Sequence, residues 1–157
     1  MATNSYFIAQ INIAKLKYPL TDPRVKHFVD NLDRINSLAE SAPGFVWRLQ
    51  DDSGNATNIQ VFDDELLIVN MSVWKTIDDL FSFTYRTDHV DIFRRRGEWF
   101  DTMTGPHLAL WWVPSDKLPT PEEGKGKLAY LEAHGPNPLS FTLKKHFTVF
   151  EFLSYQP

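Results

Sequence analysis

The chain has 157 residues, 43% of them hydrophobic, 23% charged and 14% aromatic, with a formal charge of −4 at neutral pH. One domain spanning 1–157 is expected, since a single core at this length buries about 70% of the unfolded surface. The acidic balance, with Arg94–Arg96 as the sole basic cluster, excludes nucleic acid as the main partner, and zero cysteines exclude disulfides and thiolate chemistry.

No stretch approaches the ~18 apolar residues of a membrane span. The start, MATNSYFIAQ, lacks the charged and long apolar segments of a secretion signal, so a cytoplasmic protein without membrane contact is expected. Five isolated histidines show neither HxxxH nor HxH spacing, and no metal is expected.

In chain order, YFIAQINIA sets Phe7, Ile11 and Ile13 against Gln10 and Asn12, the period-2 pattern of a strand. A helix follows: Asp22 caps it, Pro23 takes its first position, Val25, Phe28, Val29, Leu32, Ile35 and Leu38 recur at the 3.6 period, and Pro43-Gly44 ends it. GFVWRLQ reads as a strand and DDSGNATN as a polar loop. ELLIVNMSVW is a further strand with Asn70, Ser72 and Trp74 on one side. Thr76-Ile77-Asp78-Asp79 has the pattern of a capping box and starts a second helix. PHLALWWVP is a strand, its paired indoles Trp111 and Trp112 facing opposite ways. Thr120-Pro121-Glu122-Glu123 opens a third helix that Gly135-Pro136 stops. PLSFTLKKHFTVFEFL reads as one strand or two.

The order β-α-β-β-α-β, then a helix and a final strand, predicts an α+β, ferredoxin-like antiparallel sheet with helices on one face. The other face then needs a cover, and a second copy is the expected one, giving a homodimer.

At about 100° per residue from Thr76, the side chains of Phe81, Tyr85, His89, Ile92, Phe93, Arg96, Trp99 and Phe100 share one sector of the second helix. Two readings stand side by side. The stripe is core, with Tyr85, His89 and Arg96 satisfied locally, or the three polar groups enter a common pocket. For the strand amides the alternatives are mutual hydrogen bonding and a substrate contact. Five tryptophans and twelve phenylalanines suit either a packed core or a pocket for a planar apolar ligand.

NMSVWKTIDDLFSF, Asn70 to Phe83, resembles the third strand and helix start of the antibiotic-biosynthesis-monooxygenase-like dimeric α/β barrels. With the rest of SVWKTIDDLFSFTYRTDHVDIFRRRGEWF, and with LALWWVP, LPTPEE and AHGPNPLSFTL, nearly the whole chain is similar to an uncharacterised family within that superfamily. The resemblance implies a dimeric α/β barrel. Asn70 and Trp74 match the Asn and Trp that contact a phenolic polyketide in the quinone-forming members. In the haem-degrading branch the corresponding set would be Asn12, Trp74 and His89. Cyclases, lyases and non-catalytic barrels also belong to the superfamily.

The expected function is therefore a small cofactor-independent enzyme, monooxygenase-like or a cyclase or isomerase, acting on a planar, apolar, aromatic or polyketide-like metabolite by proton abstraction. Trp74, Trp99 and Phe81 would sandwich the ligand, and Asn12 and Asn70 would bind its oxygen. His89 would act as general base, with Arg96 or Tyr85 stabilising a phenolate or enolate. The alternatives are a haem-binding or haem-degrading protein and a non-catalytic ligand-binding dimer.

Overall fold

The structure, a computed structural model, describes residues 5–50, 61–86 and 94–157. Strand β1 (Tyr6–Leu16) is its centre. Along one side β1 pairs antiparallel with β3 (Leu67–Trp74), and β3 with β2 (Phe45–Arg48). Along its other side β1 pairs with β5 (Leu108–Pro114) through its first half and with the short β4 (Phe100–Asp101) at its end. The four longer strands thus run β2-β3-β1-β5, a ferredoxin-like antiparallel order. Leu110 also exchanges backbone hydrogen bonds with Phe141, which covers part of β5's outer edge, while the register of β2 shifts between Phe45 and Trp47.

The helix expected after β1 arrives in pieces: a 3₁₀ turn at Pro23–Val25, α1 (Lys26–Asp30) and α2 (Leu32–Ser41). Asn31 is the reason for the break. Its side-chain amide donates to the His27 carbonyl at 2.7 Å and so competes with the helical ladder, as Asn does when its side chain finds backbone nearby. At the start, Asp22 accepts from the Arg24 backbone N–H at 2.8 Å, and the Arg24 guanidinium grips the same carboxylate. Hydrogen bonding to Arg24 lowers the Asp22 pKa to about 2. The folded value lies below the ordinary one, so this contribution is present above pH ~4 and is lost as pH falls toward 2. In acid unfolding, the stability difference between wild type and Asp22→Asn is expected to shrink steadily from pH ~4 to pH 2; a difference that does not change with pH across that window contradicts this account.

Helix α3 (Ile77–Arg86) follows β3, with Thr76 accepting from the Asp79 N–H as its cap. Helix α4 (Pro121–His134) begins at Thr120, which accepts from the Glu123 N–H, and stops at Gly135, whose φ of +73° suits the residue after a helix end. The segment expected to close the chain as strand is different. After the Phe141 bridge it turns and forms α5 (Val149–Ser154), nucleated by a full capping box between Thr148 and Glu151. That local pairing of side chain with backbone outweighs the β-branched and aromatic composition of the segment.

Helices α2 and α3 lie on one sheet face, contributing Ala39 and Leu80 to a cluster with Ile8, Trp74, Leu110, Phe141 and Leu143. The third helix lies on the other. Leu128 and Leu131 of α4 pack with Ala9, Ile11, Met71, Ala109 and Trp111, and the Trp111 indole donates to Glu123 at 2.7 Å. The face that sequence reading reserves for a second copy is thus occupied over β1 and β5 by the chain's own helix. Lys127 of α4 donates to the Leu139 carbonyl at 3.0 Å, and burial pushes its pKa below the ordinary value. A third cluster, Leu16, Val25 and Trp99 with Phe28, Ile68 and Phe100 around them, closes the end of the first face. No helix among the described residues is long and apolar enough to cross a membrane.

Candidate functional site

Between the Trp74 cluster and the Trp99 cluster the helix-covered sheet face turns polar. Register explains the band. Gln10 pairs with Ser72 and Asn12 with Asn70, and period-2 alternation puts all four on the same face as Ile8, Trp74 and Leu110. Arg48 of β2 pairs directly with Ser72 of β3, so one cross-strand row reads Arg48, Ser72, Gln10, Leu110.

The amides and hydroxyl form a connected ladder. Gln10 Nε2 donates to Asn70 Oδ1 and to Ser72 Oγ, both at 2.8 Å, and Gln10 Oε1 accepts from Asn12 Nδ2 at 3.0 Å. Asn12 Nδ2 also reaches Asn70 Oδ1 at 3.2 Å, and the Trp74 indole N–H donates to Ser72 Oγ at 2.9 Å. Gln10 and Ser72 are buried, so their satisfaction is what makes the band tolerable inside the fold. Asn70 is exposed, and its amide nitrogen has no partner among the described residues. The ladder is closed at its buried end and offers N–H donors at its open end.

Sequence reading places Asn12, Asn70 and Trp74 together, and the structure links all three through Gln10 and Ser72. It does not assemble the expected aromatic sandwich. Trp74 is 1% exposed, stacked on Phe83 at 5.1 Å and edge-on to Phe45 at 5.5 Å, so it packs the floor of the band with its ring enclosed. Trp99, also 1% exposed, belongs to the other cluster, against His27, Phe28 and Phe100. Phe81 and Tyr85 face outward from α3, their rings 4.5 Å apart and about half exposed.

The single helical stripe from Thr76 to Phe100 is likewise not formed. Helix α3 is described to Arg86, Arg96 sits exposed in a 3₁₀ turn at Arg96–Glu98, and Phe100 is in β4. His89, like the loop DDSGNATN, lies outside the described residues. The haem set loses its indole for the same packing reason: an enclosed Trp74 ring has no face to offer a porphyrin. Among the described residues no group of three or more His, Cys, Asp or Glu is placed to hold a metal ion.

Two features escape sequence reading. Gln10 is recognisable as a strand-face amide, but its role as the buried hub depends on the β1–β3 register. Arg48 is buried, 8% exposed, and only the anomaly of a lone charge inside GFVWRLQ signals it. Elsewhere, a groove of about 250 Å³ lined by Thr76, Asp78, Trp112, His146 and Thr148 lies between the starts of α3 and α5 and includes none of the expected site residues.

Fold and site together define a ferredoxin-like α+β protein with a hydrogen-bonded polar band under its helices. The family described as "Domain of unknown function (DUF3291)" matches residues 7–153, and the chain belongs to it. This agrees with the resemblance to an uncharacterised family read from the sequence. No curated protein matches the chain. Similar solved structures include a protein of unknown function from Nitrosomonas europaea, 9% identical with a TM-score of 0.48, covering 75% of this chain and 99% of that one. Another from the same organism, a candidate antibiotic biosynthesis monooxygenase, is 16% identical with a TM-score of 0.45 over 73% of this chain and 94% of its own. A dabb family protein with a ferredoxin-like fold from Mesorhizobium loti is 13% identical, with a TM-score of 0.41 and coverages of 73% and 98%.

Proposed function

We propose that the chain holds a flat, mostly apolar metabolite by a carbonyl or phenolic oxygen at the Asn70 end of the amide ladder, and that this oxygen receives the electron pair when a proton leaves a carbon conjugated with it. The carrying observation is the Asn70 amide nitrogen, unpartnered among the described residues, above a ladder saturated from within. Donors held in place by such a scaffold stabilise a developing phenolate or enolate without reorganising. In this reading His89 takes the proton, and the carbanion equivalent either cyclises or isomerises or, in the monooxygenase-like case, adds dioxygen as co-substrate and releases water, without a bound metal. The chain would work as a cytoplasmic homodimer, with the second copy meeting it around α4 rather than on bare sheet.

Asn70→Ala is expected to weaken binding of 1-naphthol and of an anthrone about tenfold or more, while the protein stays folded. His89→Ala should slow turnover of the oxygenated or cyclised substrate about 10²-fold or more. Retained ligand binding with no turnover in wild type would leave the non-catalytic carrier as the function. A Soret band on haem titration that His89→Ala abolishes would replace both with haem binding.

A further inference from the structure

We infer that the ligand of this site is an acid, and that Arg48 together with Asn70 receives its carboxylate. The inference rests on the ligand-binding reading above and names the ligand's charge.

Arg48 is about nine-tenths buried, yet its five N–H donors are poorly used. Its Nε has no hydrogen-bond partner among the described residues and meets the Glu40 carboxylate only as an ion pair at 3.4 Å, outside hydrogen-bonding geometry. The one side-chain hydrogen bond it makes within the described residues, from Nη2 to Gln50 Oε1, is 3.5 Å long. A guanidinium taken out of water normally acquires a close fork-to-fork carboxylate, and one left with long, single contacts is held in reserve at a cost. Glu40 does not supply that fork, and its own side chain is 45% exposed.

Direction matters as much as burial. The Leu49 N–H to Met71 carbonyl bond, 2.9 Å, carries the β2–β3 pairing one residue past Arg48 and brings Gln50 alongside Asn70. Reaching for Gln50, the guanidinium leans along the strand toward the open end of the ladder. Gln50 is exposed, so an incoming group that displaces its long bond meets Nη2 directly.

The donor and acceptor census then selects the ligand. Among the described residues, the donors left at this end are the Arg48 N–H groups beyond the long Gln50 bond and both protons of the Asn70 amide, against Asn12 Oδ1, Gln50 Oε1 and the half-exposed Glu40 carboxylate as acceptors. The group that satisfies these donors is an anion with several lone pairs, which would take the place of the loosely paired, half-exposed Glu40 beside the guanidinium. A carboxylate has two oxygens and accepts bidentate from Arg, whereas an amide or ester fills fewer of these donors and carries no charge.

The test compares 1-hydroxy-2-naphthoic acid, its carboxamide and 1-naphthol by calorimetric titration at neutral pH against wild type, Arg48→Met, Arg48→Lys and Glu40→Gln. The acid is expected to bind wild type at least tenfold more tightly than the carboxamide. Arg48→Met should erase that preference while leaving 1-naphthol affinity unchanged, Arg48→Lys should restore part of it, and Glu40→Gln, which removes the competing carboxylate, should widen it. Equal affinity of acid and carboxamide for wild type overturns the inference and leaves the ligand-binding reading intact. Failure of all three compounds to bind overturns both. Loss of folding in Arg48→Met with full acid preference in Arg48→Gln assigns Arg48 to holding α2 on β2 instead.

Discussion

Trp74→Ala is expected to lower the free energy of unfolding by about 3–5 kcal/mol, the range for deleting a fully enclosed large aromatic from a core. The ring is 1% exposed and meets Phe45 and Phe83, with Ile8, Leu80, Leu110 and Phe141 completing its cluster. These neighbours belong to β1, β2, β5, α3 and the bridge segment, so the vacancy cannot close by moving one element. Trp74→Phe separates packing from hydrogen bonding. It keeps an apolar ring and removes the N–H that reaches Ser72 Oγ, which retains its bond from Gln10 Nε2. About 1–2 kcal/mol is expected for that variant, as a small void plus one lost bond. Urea unfolding followed by circular dichroism reads both. A midpoint for Trp74→Ala within error of wild type would mean that the indole is not the keystone of the cluster.

The second large effect is expected on the opposite face, at Gly124. A Cβ there would stand 2.8 Å from Ile11 Cδ1 and 3.2 Å from Met71 Cε, so α4 approaches the sheet closely at this glycine. Gly124→Val adds three carbons to that contact and should destabilise by about 1–3 kcal/mol through overpacking, with the larger values if α4 lifts from β1. At Gly126, two residues on, a Cβ would meet no described atom within 4 Å. There, alanine gains helix propensity at no steric cost, and Gly126→Ala should stabilise by about 0.5–1 kcal/mol. Opposite signs at the two glycines are the expected outcome in thermal unfolding. The same sign at both would refute the close approach of α4.

The sheet was legible because its strands alternate cleanly: β1 and β3 show their faces in sequence, and Asn12, Asn70 and Trp74 follow as neighbours once the two are paired. The caps at Asp22, Thr76 and Thr120 were equally readable, being local. Three things were not. The break at Asn31 turns on one side chain choosing a backbone carbonyl. The face taken by α4 is a tertiary outcome that a capping pattern does not encode. Trp99 fell into the helical sector by spacing alone, and its true partners, Val25 and Phe28, lie some seventy residues away in the chain. Arg48 was hidden by the irregular register of β2, which spoils the simple count of inward and outward positions.

The margins of the sheet bear on how the molecule behaves in a crowded solution. A long flat margin with free N–H and C=O groups invites a neighbouring chain to add its own strand and start a fibril. On the β5 side the hydrogen bonds between Leu110 and Phe141 use up part of that invitation. On the β2 side the strand runs for four residues and is kinked between Phe45 and Trp47. Among the described residues, an intruding strand therefore meets an edge interrupted at Leu110 on one flank and a short, kinked one on the other.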